Sequence, residues 1–314
     1  MKPLFRHVFL LVFSVLTTPA VYAAESPLSI AGARATLVQD FKQAPVWRRG
    51  KLDPYVPDKP LTDPTFSWSA GYLWNHPLVG ATEKAVAGDP FPAWTSNSNA
   101  NADPNGDLIE KLGARAPIKW TGTLDFSVDK MPDDLAETVR PINPNGYIGS
   151  SMTSFPYAQK YGVFAMEAKL PIGPGLWPAF WLMPVDKSWP PELDIMEVIG
   201  REPTTVYTTL HVKGAKGHER MGHGTKVDVD LSADFHEYAV DWGPKQITWY
   251  FDRKPIFSQP TPDSFHQPFY ILVNVAVGLP SNWGGAPDVT TKLPATMQVR
   301  SIRAWQRPEY EAGI

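Results

Sequence analysis

The chain has 314 residues, a formal net charge of −3 at pH 7 and no cysteine. Without cysteine there are no disulfides, thiolate metal sites or thiol nucleophiles, and without a basic cluster the charge argues against a nucleic-acid partner. The 33 Pro, 23 Gly and 12 Trp disfavour long helices and point to short strands, ordered loops and a large aromatic core or binding floor.

Lys2 and Arg6 precede an apolar run over residues 8–16, and Val21 and Ala23 place small side chains before a cleavage point. This order predicts a signal peptide over residues 1–23. The run is shorter than the ~20 residues a membrane-spanning helix needs. The expected product is therefore secreted or periplasmic, with no membrane attachment after cleavage. Residues 24–314 show no internal repeat and no flexible linker, which predicts a single domain. Segments 44–66 and 86–106 are rich in Pro, Asn, Asp and Ser and are expected as surface loops. Residues 132–140 are expected to form a helical turn or two.

Strand signals follow. Residues 163–170, 206–212, 247–252 and 270–277 alternate in side-chain character, the two-residue period of a strand with two unlike faces. Short alternating strands separated by turns predict two packed antiparallel sheets, a sandwich or jelly roll. In several of these strands the second face carries Tyr207, His211, Tyr270 and Asn274. Such a face suits a sugar-binding cleft, or else a solvated sheet surface or satisfied polar groups within the core.

Residues 191–200 read PELDIMEVIG. In a regular strand Glu192 and Asp194 share one face and Glu197 takes the other, so some carboxylate would enter the core at a large desolvation cost. A β-bulge at Ile195 or Met196 removes the conflict and sends all three acids to one side. Two carboxyl groups ~5–5.5 Å apart suit retaining glycoside hydrolysis, and a third beside them raises a neighbour's pKa. Trp177 is expected in an exposed Gly- and Pro-rich loop, Trp181 follows it, Trp189 lies just before the motif and Trp283 in another Gly-rich loop. An indole can stack on the apolar face of a β-linked sugar. His218, Glu219 and His223 lack the spacing of a zinc-protease helix. A loop carrying His211, His218 and His223 offers no convincing metal site, and none is expected.

The ELDIME segment resembles the bulged Glu-x-Asp-x-x-Glu signature of glycoside hydrolase family 16, the form found in laminarinase-like, agarase and carrageenase members. Residues 161–184, 235–242, 247–252 and 269–278 resemble the strands flanking that signature, and the resemblance covers residues 145–306. It implies an all-β jelly-roll sandwich with a concave substrate cleft. By position, Glu192 matches the nucleophile, Asp194 the assisting acid and Glu197 the acid/base. Trp177 and Trp181 match aromatic residues in or beside the cleft, His211 a histidine near the assisting acid, and Asn274 a polar cleft position. Trp189 and Trp283 are further substrate-binding candidates. The implied activity is endo-acting, retaining cleavage of β-1,3- or mixed β-1,3/1,4-glucan. Cleavage of an exopolysaccharide or galactan, transglycosylation at the same site, and sugar binding without turnover are the alternatives. The expected partner is a β-linked polysaccharide and the expected state a monomer. No cofactor is required for this chemistry. The family often carries a structural calcium, but no local acid cluster marks its place.

Overall fold

The computed structural model describes residues 26–46, 68–70, 117–134, 146–155, 157–186, 188–215, 217–278, 280 and 283–311. The expected signal peptide, the 86–106 loop and most of the 44–66 loop lie outside the described residues. Of the helical turn expected over 132–140, Asp133 and Asp134 are helical and the rest lies outside them as well.

Two antiparallel sheets pack face to face. The first contains β1 (Arg34–Gln39), β3 (Ile118–Trp120), β4 (Leu124–Lys130), β5 (Tyr147–Ile148), β7 (Gly162–Lys169), β12 (His236–Trp242), β13 (Gln246–Phe251), β14 (Lys254–Pro260) and β16 (Ala295–Gln306). Its main path runs β14-β13-β12-β7-β16-β4-β3. The second sheet has β2 (Ser69–Ala70), β6 (Ser150–Thr153), β8 (Leu176–Pro184), β9 (Glu192–Glu197), β10 (Thr205–Gly214), β11 (Gly217–Lys226) and β15 (Phe269–Val277), in the order β11-β10-β9-β8-β15-β6-β2. Four consecutive strands, β8 to β11, thus form a meander. The chain then leaves for the first sheet, and β15 returns to lie beside β8. This is the expected sandwich.

Period-two alternation explains the layers. Phe164 and Met166 from β7, Phe180 and Leu182 from β8, Val240 from β12 and Val273 from β15 meet in one core between the sheets. The opposite faces are not simply wet. Phe155, Trp181, Met183, Tyr270 and Leu272 form a second apolar cluster on the outer face of the second sheet. Every residue of β8 and β9 is consequently buried.

The acid strand carries the bulge. Met196 pairs with Phe180 and Asp194 with Trp181, so Ile195 has no partner of its own on β8. On the other side Tyr207 pairs with Glu197 and Thr209 with Asp194, leaving Thr208 opposite both Ile195 and Met196. Leu193, Ile195 and Met196 all enter the central core. Glu192, Asp194 and Glu197 are left on the outer face. A bulge disrupts the local ladder, and here the facing sheet supplies a support. The fully buried Trp249 of β13 donates its indole N–H to the backbone carbonyl of Asp194, 2.8 Å away.

β11 departs from the reading of this stretch as a loop. It is a ten-residue strand paired along its whole length with β10. His218 and His223 have opposite parity on it, and His223 instead stacks on Phe257 with ring centroids 5.1 Å apart. A common three-histidine site with His211 is therefore not formed.

The Trp249 contact yields a prediction. Trp249→Phe keeps an aromatic ring in the core but removes the donor to the bulge carbonyl. Denaturant unfolding should show a loss of about 2–4 kcal/mol from the cavity and the unmet acceptor together. Native-state hydrogen exchange should show faster opening at Ile195 and Met196 than in distant β16.

Candidate active site

Register turns the outer face of the second sheet into rows. Tyr207, Glu197, Ala179, Asn274 and Ser151 are successive cross-strand partners in one row. Thr209, Asp194, Trp181, Leu272 and Thr153 make the next, and His211 pairs with Glu192 in a third. Rows on one face are two residues apart, roughly 6.6 Å along the strand. The three acids thus stand in file, with Asp194 between the glutamates.

Each glutamate is held by a tryptophan. Trp177 donates from Nε1 to Glu197 Oε1 at 3.0 Å, and Trp189 donates from Nε1 to Glu192 Oε2 at 2.6 Å. His211 Nε2 stands between the other two acceptors, 3.1 Å from Asp194 Oδ2 and 3.7 Å from Glu192 Oε1. The geometry is off the line of a well-formed hydrogen bond to Asp194 Oδ2, which has no such bond among the described residues. Donor atoms of Glu192, Asp194 and His211 all lie within 4.8 Å of one another. The three side chains are close enough to hold a cation or to share a proton.

Burial dominates the electrostatics. All three acids are nearly inaccessible, Asp194 at 2% exposure. Desolvation is the largest influence on each and raises each pKa. The charge of Asp194 next raises both Glu192 and Glu197, while His211 and the indole donors oppose the rise. Glu197 ends well above the ordinary carboxylate range. A carboxyl that keeps its proton near neutrality is a competent general acid.

The remaining sequence candidates take distinct places. Trp177 belongs to β8 rather than to a loop and is 5% exposed, so its indole serves Glu197. Trp181 is 2% exposed, lies beside Asp194 in its row and donates to Asn274 Oδ1 at 2.7 Å. Tyr270 is fully buried and packs edge-on against Phe155. Trp189 keeps 37% exposure beside Glu192. Trp283 meets the edges of Trp177 and Tyr207, with centroids 5.4 and 4.7 Å away. Its loop is clamped by Arg201, whose guanidinium donates to the carbonyls of Trp283 and Gly284. The loop also needs Gly278, where an added Cβ would fall 2.0 Å from the Gly285 carbonyl oxygen. An aromatic that reaches solvent thus stands at each end of the acid file, exposed Trp189 at one and half-buried Trp283 at the other.

The sequence left the roles of three contributors unread. Trp249 was legible only as a core residue. The clamp of Arg201 crosses about eighty positions of chain. His218 lies beside His211, and its one signal was a two-residue period in which His218, Arg220, Gly222 and Gly224 share the outer face. Gly224 leaves room for Tyr207, whose ring would lie 2.7 Å from a Cβ there.

Fold and site together define a sandwich enzyme with a carboxyl file on one strand of the second sheet. A family model described as Glycosyl hydrolases family 16 matches residues 113–297, and the chain belongs to that family. It is 44% identical over 165 residues to "Endo-1,3-1,4-beta-glycanase ExsH" of Rhizobium meliloti (strain 1021), covering 52% of this chain and 34% of that protein. It is 34% identical over 166 residues to a "Beta-glucanase" of Rhodothermus marinus, covering 46% and 57%. The matches therefore span between a third and somewhat over half of these relatives' lengths. The laminarinase catalytic domain from Thermotoga maritima MSB8 shares the fold, with a TM-score of 0.57 at 22% identity over 87% of this chain and 98% of that one.

The raised pKa values fix a sign for stability. The folded state holds protons that the unfolded chain releases from about pH 4 upward, so these acids favour folding at low pH. That contribution is lost as pH rises through their folded-state values. Glu197→Gln, which keeps an acceptor for Trp177, should raise Tm by about 2–5 °C at pH 8.5 and by little at pH 5. Calorimetry showing the variant less stable at pH 8.5 would contradict the assignment.

Proposed function

We propose that this protein is an exported, endo-acting β-glucanase that cleaves β-1,3- or mixed β-1,3/1,4-glucan with retention of anomeric configuration. The observation that carries this reading is the bulge at Ile195, which sets Glu192, Asp194 and Glu197 in file on one sheet face. The names of the relatives support the substrate class, and the pattern of residues 1–23 supports export.

In the first step Glu197 gives its proton to the glycosidic oxygen as Glu192 attacks the anomeric carbon. The bond to the leaving sugar breaks and a glycosyl–Glu192 ester forms. In the second, ionised Glu197 takes a proton from water, whose oxygen displaces Glu192. Each donor has a matching task. Trp177 occupies Oε1 of Glu197 and leaves Oε2 to carry the proton. Trp189 steadies the carboxylate of Glu192. Asp194 shares a proton with Glu192 and holds it while Glu192 is the nucleophile, because two neighbouring carboxylates ionise together only at a cost. Trp189 and Trp283 are the stacking surfaces for sugars on the two sides of the scissile bond. The protein acts as a monomer and the chemistry calls for no cofactor.

Reducing-end and viscosity assays on barley β-glucan, laminarin and agarose test the substrate class. A rapid fall in viscosity of a β-glucan is expected, and cleavage of agarose with both glucans untouched would refute the glucan assignment. Glu192→Gln should reduce turnover to background while leaving polysaccharide binding intact. Glu197→Gln should lose about 10²–10⁴-fold on polysaccharide but far less on aryl glycosides with activated leaving groups. Asp194→Asn should slow turnover and shift its pH profile. Proton NMR of the first product should show the β-anomer; an α-product would rule out double displacement.

A further inference from the structure

The reaction above leaves one close pair unused. His211 Nδ1 and His218 Nε2 are 2.7 Å apart, and their rings are parallel to within 6°. Such a contact needs one proton between the two nitrogens, since two N–H groups repel and two bare nitrogens form no bond. The other nitrogen of His211 faces Asp194 and Glu192, where a proton is favoured whenever either acid is ionised. A neutral His211 protonated there has a bare Nδ1, and His218 must then donate from Nε2. Which ring nitrogen of a histidine carries its proton is set by the partner of the other.

We propose that His218 is a positioning residue that holds His211 in its Nε2-protonated form, so that a hydrogen-bond donor always faces the Asp194–Glu192 pair. The proposal rests on the catalytic roles given above and adds a residue to them. The surroundings suit a neutral donor. On the sheet, His218 is opposite Lys213, and Arg220 is opposite His211. Behind His211 lie Asp194 and Glu192, and the uncharged indole of Trp189 covers His218 with ring centroids 4.7 Å apart. Partial burial, then His211 and Arg220, lower the pKa of His218. Trp189 also donates to Glu192, so one indole braces both the nucleophile and the residue that orients His211.

The test uses the full chain with His218→Phe and His218→Gln. Phenylalanine keeps a ring against Trp189 and loses the donor; glutamine supplies an amide N–H. Nitrogen-15 NMR of the substrate-free wild type should show His211 protonated at Nε2 and bare at Nδ1. In His218→Phe that preference should be lost. Its kcat should fall ~10-fold, the usual scale for an outer partner of a reactive group, with KM within about twofold. The acid limb of its pH profile should move upward, because the anionic form of the pair loses the N–H that faces it. His218→Gln should restore most of both. An Nδ1-protonated His211 in the wild type, or an unchanged tautomer and pH profile in His218→Phe, would overturn the proposal. So would a raised KM at constant kcat, which would make His218 a sugar contact. The NMR readout needs no turnover, so failure of the wild type on every β-glucan would refute the proposed activity while the role of His218 was still decided.

Discussion

The hydrogen bond from Trp249 to the carbonyl of Asp194 joins the two sheets at the point where the acid strand loses its regular spacing. A strand can hide Leu193, Ile195 and Met196 on one side and show three acids on the other only by inserting an extra residue. The insertion weakens the local ladder, and a donor from the opposite sheet offsets part of that loss. Core packing and acid placement are therefore one problem here. The same indole that fills the centre of the sandwich fixes the backbone from which Asp194 projects.

Holding three carboxyls on a nearly water-free face is unfavourable in itself, since ionising any of them there is resisted by burial and by the other two. The fold supports the arrangement with neighbours of three kinds. Tryptophan N–H groups meet the two glutamates, His211 stands beside Asp194, and the large apolar core on the other face supplies the net stability. In the proposed reaction the elevated pKa of Glu197 is useful, because there it must keep a proton that a surface glutamate would lose. Stability is given up locally for reactivity, as expected where strain and burial gather at a functional centre.

Much of this was legible because a buried face constrains sequence. β7, β10, β13 and β15 alternate clearly, which marks them as strands with two unlike faces. The bulge was legible for a related reason: Glu192, Asp194 and Glu197 cannot share a face on a regular strand, and burying one unpaired is prohibitive. β11 was illegible because neither face is apolar. Its glycines and charged residues resemble a loop, and ten pairings with β10 make it a strand. Trp177 was misplaced for a similar reason, since the Gly and Pro around it suggest a turn whereas β8 is a fully buried central strand. Contacts such as Trp249 with Asp194, Arg201 with the Trp283 loop, and His211 with His218 depend on topology and register that no local window contains.

The two ends of the acid file are built differently, and this gives the site a direction. Beside Glu192 the walls are Trp189, His211 and His218, groups that exchange protons or steady a carboxylate. Beside Glu197 they are Trp177, Tyr207 and Trp283, an aromatic corner closed by Arg201 and a glycine-dependent loop. A nucleophile works best where its charge is managed in both protonation states, which requires titratable neighbours. A general acid works best where its charged form is disfavoured, which requires apolar ones. The unequal walls are consistent with the roles proposed above, with Glu192 as nucleophile and Glu197 as acid, although burial and the charge of Asp194 raise the pKa of both.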